Sequence, residues 1–376
     1  MARVREAHPA ESGLMTNTGE NARAIERGRS EPGAAFLRAC LGLSTDRTPV
    51  WLMRQAGRYM REYQAIRSKY SMLETINTPE IAAEVTLQPI EKFGFDAAII
   101  FSDILPLLIG MGLNLEFVEG VGPRITNPVS GPADVERLHR SEAAESMGPT
   151  LEAIRLVSAE LDARDVPLIG FAGAPFTLAS YAIEGGGTKT YAKVKTLMRT
   201  DPDTWNELMN RLVEVTVEYL RAQVEAGASA LQLFDSWAGS ALGVQDYVQY
   251  VKPYNTRLFE GLSGAGVPLI NFSTGTAAYI DQVVSCGGDV IGVDWRMPLD
   301  WFWSRIGPGK AIQGNLDPVA LLGPWEELRK QAEDILNRAA GRPGHIFNLG
   351  HGILPQTPVD NVMRLVDYVR ERTSKP

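Results

Sequence analysis

Apolar residues in this chain fall into short unbroken runs, spaced by longer stretches of helical periodicity. The runs lie at 48–53, 94–101, 166–172, 228–235, 267–273, 290–295, 311–316 and 344–349. Most are continuous rather than alternating, the pattern of parallel strands covered on both faces. Between them, segments such as 203–226 and 324–340 repeat apolar positions at helical spacing. Asp201-Pro202-Asp203 supplies an N-cap and a first-turn proline for the first of these, and Gly227 a stop.

Eight strand-then-helix units without a low-complexity linker predict an α/β fold, a single-domain (β/α)8 TIM-type barrel over residues 34–376. Residues 112–130 break the rhythm and are expected to form a hairpin-like insertion after the second unit. A doubly wound open sheet is the alternative, but no GxGxxG follows the first strand. Residues 1–33 are polar and charged, with no apolar core of a secretory signal. They are expected to be a disordered N-terminal extension.

Composition narrows the function. The 376 residues carry 45 acidic against 37 basic side chains, a net charge of −8. That balance argues against nucleic acid as a partner. No apolar run approaches the roughly 18 residues of a membrane span. Two cysteines, Cys40 and Cys286, make no disulfide framework and point to a reducing compartment. Neither they nor the four histidines show metal-ligand spacing, so no metal is expected.

Against that acidic background, residues 49–58 (PVWLMRQAGR) stand out. An apolar run delivers Arg54, Gln55 and Arg58 around an Ala56-Gly57 step. Guanidinium forks suit carboxylates and phosphates, and a glycine admits close backbone approach. A structural ion-pair cluster is the plainer reading of the same residues. In a barrel, chemistry gathers at the C-terminal ends of strands. There the chain places Asp103 after the second run, Tyr181 in the helix after the third, Ser236 after the fourth and His351 after the eighth. Asp103 and Ser236 could equally cap helices, and Tyr181 could be a core residue. His351, between Gly350 and Gly352, is harder to explain by packing.

Together these segments resemble the uroporphyrinogen decarboxylase family. PVWLMRQAGRY and GFAGAPFTLASY followed by IEGGG are similar to its two signatures. FSDIL, FDSWAG, GNLDP and FNLGHGILPQTPVDNV follow its further blocks in order, from about residue 34 to the end. Arg61 and Trp237 stand where many or some relatives have proline and histidine. The resemblance implies a single-domain barrel that removes the carboxyl groups of four acetate side chains of uroporphyrinogen III, giving coproporphyrinogen III. It implies neither cofactor nor metal, and a cytoplasmic homodimer. It assigns substrate binding to Arg54, Gln55, Ala56, Gly57, Arg58, Asp103, Tyr181, Ser236 and His351. Asp103 is expected to be catalytic, with Arg54 a candidate proton donor. The alternatives are a cobamide-linked zinc methyltransferase of the same superfamily and a non-catalytic tetrapyrrole-binding barrel.

Overall fold

The computed structural model describes residues 34–118, 120–140 and 145–375. The expectation for residues 1–33 lies outside the described residues.

Seven parallel strands form one sheet. They are β1 (Ala98–Ile99), β4 (Leu168–Gly173), β5 (Ala230–Asp235), β6 (Leu269–Ser273), β7 (Val290–Gly292), β8 (Ala311–Gln313) and β9 (His345–Ile346), hydrogen-bonded in that order. Register runs straight across the sheet, Leu231 facing Leu269 and Asp235 facing Ser273, so strand C-termini share one rim. Every residue of β4 is buried, which is why its sequence is apolar without alternation. A separate antiparallel pair, β2 (Leu115–Val118) and β3 (Gly122–Ile125), occupies the segment expected to be a hairpin.

The first apolar run is not a ladder strand, yet it touches both edges of the sheet. The Phe347 N–H donates to Pro49 O at 2.9 Å, and the Trp51 N–H to Phe347 O at 3.3 Å. On the other side, the Asp96 N–H donates to Val50 O at 2.9 Å. The Asp96 carboxylate takes the Val50 N–H at 2.8 Å and both Arg47 Nη groups at 2.7 and 2.6 Å. A forked guanidinium thus anchors the run that ends in Arg54.

Beyond β8 and β9 backbone pairing continues, the Leu316 N–H donating to Asn348 O at 3.1 Å, and side chains join it near the rim. Past β9, Asn348 Oδ1 accepts the Met53 N–H at 3.1 Å and the Leu349 N–H at 2.7 Å. Polar groups also line the space inside the sheet. Trp51 Nε1 donates to Gln313 Oε1 at 3.1 Å, and Gln313 Nε2 donates to Gln232 Oε1 at 3.0 Å. All three side chains are buried, so each bond replaces water that cannot reach them.

Helices cover the outside. Pro202–Ala226 begins and ends where the sequence predicts. Asp201 Oδ1 accepts the Thr204 N–H at 3.1 Å, and Gly227 closes it at φ +120°. Trp325–Ala339 likewise falls within the predicted 324–340 segment.

Candidate active site

Arg54 leaves the first run in a left-handed conformation, φ +61°. Non-glycine residues adopt it at a cost, accepted here where a tight turn aims the side chain. That turn is closed by the Gln55 N–H donating to Leu52 O at 3.0 Å, and the Ile353 N–H donating to Met53 O at 2.9 Å ties it to the last strand's exit. Arg54 and Arg58 are exposed, with Ala56 and Gly57 half-buried between them. Gln55 goes the other way. It is buried, with Nε2 donating to Ala97 O at 3.3 Å, and its carbonyl accepts the Tyr59 hydroxyl at 2.6 Å. Its side chain faces the core rather than the rim.

The glycines around His351 have a packing reason. A Cβ on Gly352 would stand 2.4 Å from Arg54 Cδ, and one on Gly350 would stand 2.6 Å from the Trp295 nitrogen. The loop therefore runs between the Arg54 stem and the turn after β7. His351 Nδ1 accepts the Gly352 N–H at 2.6 Å, which leaves the ring proton on Nε2. Burial, then the charges of Arg54 and Arg296, lower its pKa to about 4, so the imidazole is neutral at pH 7.

Asp103 follows β1 and opens onto the same rim. Its Oδ1 accepts the Leu105 N–H at 3.0 Å. The helix Pro106–Gly110 starts after Leu105, so Asp103 holds the turn before it rather than capping it. Desolvation raises its pKa, while the Leu105 N–H, the Arg54 charge and the Ile104 N–H pull it down. Tyr181, on the helix Pro175–Glu184, stacks on Trp237 with ring centroids 3.9 Å apart. Its pKa is pushed up to about 12 by burial first and then by the Asp103 charge, with Arg54 opposing. Ser236 is half-buried, and its carbonyl accepts the Thr274 hydroxyl at 3.0 Å. It does not cap the following helix; Asp235 Oδ1 takes the Ala238 N–H at 3.4 Å.

The fold thus brings Arg54, Asp103, Tyr181 and His351 within electrostatic reach of one another, with Ser236 beside the Tyr181–Trp237 stack. The sequence profile described as uroporphyrinogen decarboxylase (URO-D) matches residues 31–372.

The chain belongs to the uroporphyrinogen decarboxylase family.

A uroporphyrinogen decarboxylase from Roseiflexus sp. (strain RS-1) is 54% identical over 345 residues, covering 90% of this chain and 99% of that protein. One from Carboxydothermus hydrogenoformans is 52% identical over 339 residues, 90% of this chain and 96% of its own length. A methyltransferase from Methanosarcina mazei shares the fold with a TM-score of 0.71 at 20% identity, over 89% of this chain and 97% of its own. That likeness concerns the fold alone.

Several residues of this candidate site were not legible as a group in the sequence. Trp237 stood out only as a departure from some relatives, yet it is the ring on which Tyr181 lies. Asp235 is buried at 2% exposure and binds Thr177 of the Tyr181 helix, 58 residues away. The third is Arg296, on the turn after β7. One signal was available for it: VIGVDWR, like VWLMR, brings an arginine just past a strand-like run, here with Asp294 standing before it.

Proposed function

We propose that this chain is a carboxy-lyase that removes the carboxyl groups of the four acetates of uroporphyrinogen III, giving coproporphyrinogen III. The carrying observation is an enclosed carboxylate, Asp103, within the field of an exposed strand-end arginine, Arg54. The substrate carries eight carboxylates around a ring of pyrrole N–H groups. Arginines at the rim suit the first feature, and an enclosed carboxylate within the field of Arg54 suits the second. The segment 49–53, bonded to both sheet edges, further supports reading the fold as a closed (β/α)8 barrel with this rim as its mouth.

In the proposed mechanism Arg54 and Arg58 hold side-chain carboxylates. Tyr181 and Ser236 offer hydroxyls, and neutral His351 offers its Nε2–H. Gln55 contributes by shaping the turn, Ala56 and Gly57 by leaving room at the backbone. Loss of CO₂ from an acetate needs an electron sink. Protonation of a pyrrole carbon makes the ring a cation. The carbon–carboxyl bond then breaks, and its electron pair neutralises the ring as an exocyclic methylene. A second proton completes the methyl group, and the ring carbon gives up the first proton to restore the pyrrole. Asp103, ionised, accepts the pyrrole N–H groups and stabilises that cation.

The magnitudes favour this division. Charge-assisted hydrogen bonds contribute about 1.5–3 kcal/mol each, which orients the substrate. A slow reaction asks for barrier lowering on the order of 20 kcal/mol. A fixed charge in a site that excludes water acts far more strongly than one in bulk solvent. With His351 neutral, the first proton is assigned to a water held by Arg54, since a guanidinium itself is a reluctant acid.

Family resemblance also supports a cytoplasmic homodimer; sedimentation of the purified chain tests the dimer. Among the described residues, no helix is long and apolar enough to cross a membrane. The activity test is anaerobic incubation with uroporphyrinogen III and chromatography of the products. Hepta- through tetracarboxylate species are expected, and an unchanged octacarboxylate overturns the reading.

A further inference from the structure

The turn after β7 is built around a buried carboxylate. Asp294 is 2% exposed; its Oδ2 accepts the Gly275 N–H at 2.6 Å and its Oδ1 the Arg296 N–H at 3.1 Å. The Arg296 side chain folds back so that Nη1 donates to Asp294 Oδ2. Its guanidinium carbon sits 4.6 Å from the centre of the Trp295 ring. From the end of β8, Asn315 Nδ2 donates to the Asp294 carbonyl at 2.8 Å and to the Met297 carbonyl at 2.9 Å, fixing the turn from a second strand. One edge of the guanidinium is therefore bound and its plane rests on an indole. The side chain nevertheless remains 49% exposed, and a fork held at one edge can present the other with little further loss of freedom.

The location matters as much as the preorganisation. The Gly350–Gly352 loop lies against the Asp294–Trp295 backbone on one side and against the Arg54 stem on the other. His351 is thus flanked by the elements that carry Arg54 and Arg296, and both arginines depress its basicity, with the Asp294 charge opposing them in part. Two like charges brought towards one imidazole repel each other, in a chain whose net charge is −8. Such an arrangement becomes favourable when an anion lies between or beside them. Asp294 alone does not require the arginine, because two backbone N–H groups already serve its oxygens.

We propose that Arg296 is a third carboxylate-binding arginine of the mouth, taking a side-chain carboxylate of the substrate on the β7 side, opposite the Arg54–Arg58 turn. This rests on reading the mouth as a site for a polycarboxylate tetrapyrrole. It gives the site cationic groups on separated strand ends, so that a ligand with carboxylates around its whole edge gains more than one with them on a single side.

The test uses a readout independent of turnover. Uroporphyrin, the stable oxidised octacarboxylate, is titrated into the full chain and its fluorescence followed, for wild type, Arg296→Gln and Arg296→Lys. The expected result is a Kd about tenfold weaker for Arg296→Gln, with Arg296→Lys between it and wild type and Tm unchanged. With uroporphyrinogen III as substrate, KM is expected to rise by a similar factor while kcat stays within twofold. A Kd for Arg296→Gln within twofold of wild type overturns the proposal. So does a weakening matched by a fall in Tm that Arg296→Lys does not relieve. If wild type binds uroporphyrin and Arg296→Gln does not, but neither releases CO₂ from uroporphyrinogen, the proposed reaction fails and the carboxylate site stands.

Discussion

The Thr177 hydroxyl donates to the buried carboxylate of Asp235 across 3.1 Å, joining the helix that carries Tyr181 to the strand end that carries Ser236. Asn255 Nδ2 donates to the other carboxylate oxygen at 3.3 Å. Burial pushes the Asp235 pKa up to about 6 in spite of these donors. A raised acid pKa means that the folded state binds the proton more tightly than the unfolded one. Ionised Asp235 therefore costs stability above pH 6, and the cost is relieved as pH falls towards the unfolded value near 4. Relative to Asp235→Asn, wild type is expected to gain about 1 kcal/mol between pH 7 and pH 5 in urea unfolding. A difference that does not change with pH rejects this.

His345 acts in the opposite sense. It is buried at 3% exposure, with Nε2 3.1 Å from Gly314 O, and desolvation lowers its pKa from 6.5 to about 4. The unfolded chain takes up the proton first. Stability is complete above about pH 6.5 and declines as pH falls towards 4, by about 2 kcal/mol between pH 7 and pH 5. His345→Gln should flatten that part of the acid limb in urea unfolding, and an unchanged slope would count against it.

Asp103→Asn should leave the far-ultraviolet circular dichroism and Tm near wild type and lower kcat by about 10²–10³-fold, the scale of losing one preorganised electrostatic group. Because the ionised form is the active one and its pKa is raised, wild-type activity should fall as pH drops through that pKa. Near-normal turnover of the asparagine variant removes the aspartate from the mechanism.

Gly350 and Gly352 should respond differently to alanine. A Cβ at Gly352 meets the Arg54 side chain, which is exposed and can move. Gly352→Ala is expected to fold and to raise KM about tenfold by displacing a charge-assisted contact. A Cβ at Gly350 meets the Trp295 backbone nitrogen, which cannot move without the β7 turn. Gly350→Ala should lower Tm, and equal effects in both variants would contradict this packing.

Trp51→Phe keeps the aromatic bulk but leaves buried Gln313 Oε1 without its 3.1 Å donor. An unsatisfied buried acceptor costs about 1–3 kcal/mol, to be read from chemical denaturation. No measurable change would mean that water reaches this interior group.

The sequence by itself determined the order of elements, because the signals are local: unbroken apolar runs for covered strands, an Asp-Pro start and a glycine stop for the helix Pro202–Ala226. It also determined which polar residues stand at strand ends, since Arg54, Asp103, Ser236 and His351 each follow an apolar run. Family likeness in ordered blocks added the chemistry. What it could not determine was direction and partnership. Gln55 and Arg54 are neighbours in one turn, yet one side chain faces the core and the other the rim, as the left-handed Arg54 backbone dictates. The Asp103, Tyr181, Arg54 and His351 grouping exists only because the sheet curls until the last strand meets the first run, through Phe347 and Pro49. Trp237 under Tyr181, Asp235 beside Thr177 and Arg296 across His351 from Arg54 are likewise products of that curl. Contacts between distant strand ends leave no periodicity in a single chain, so only the tertiary structure could decide them.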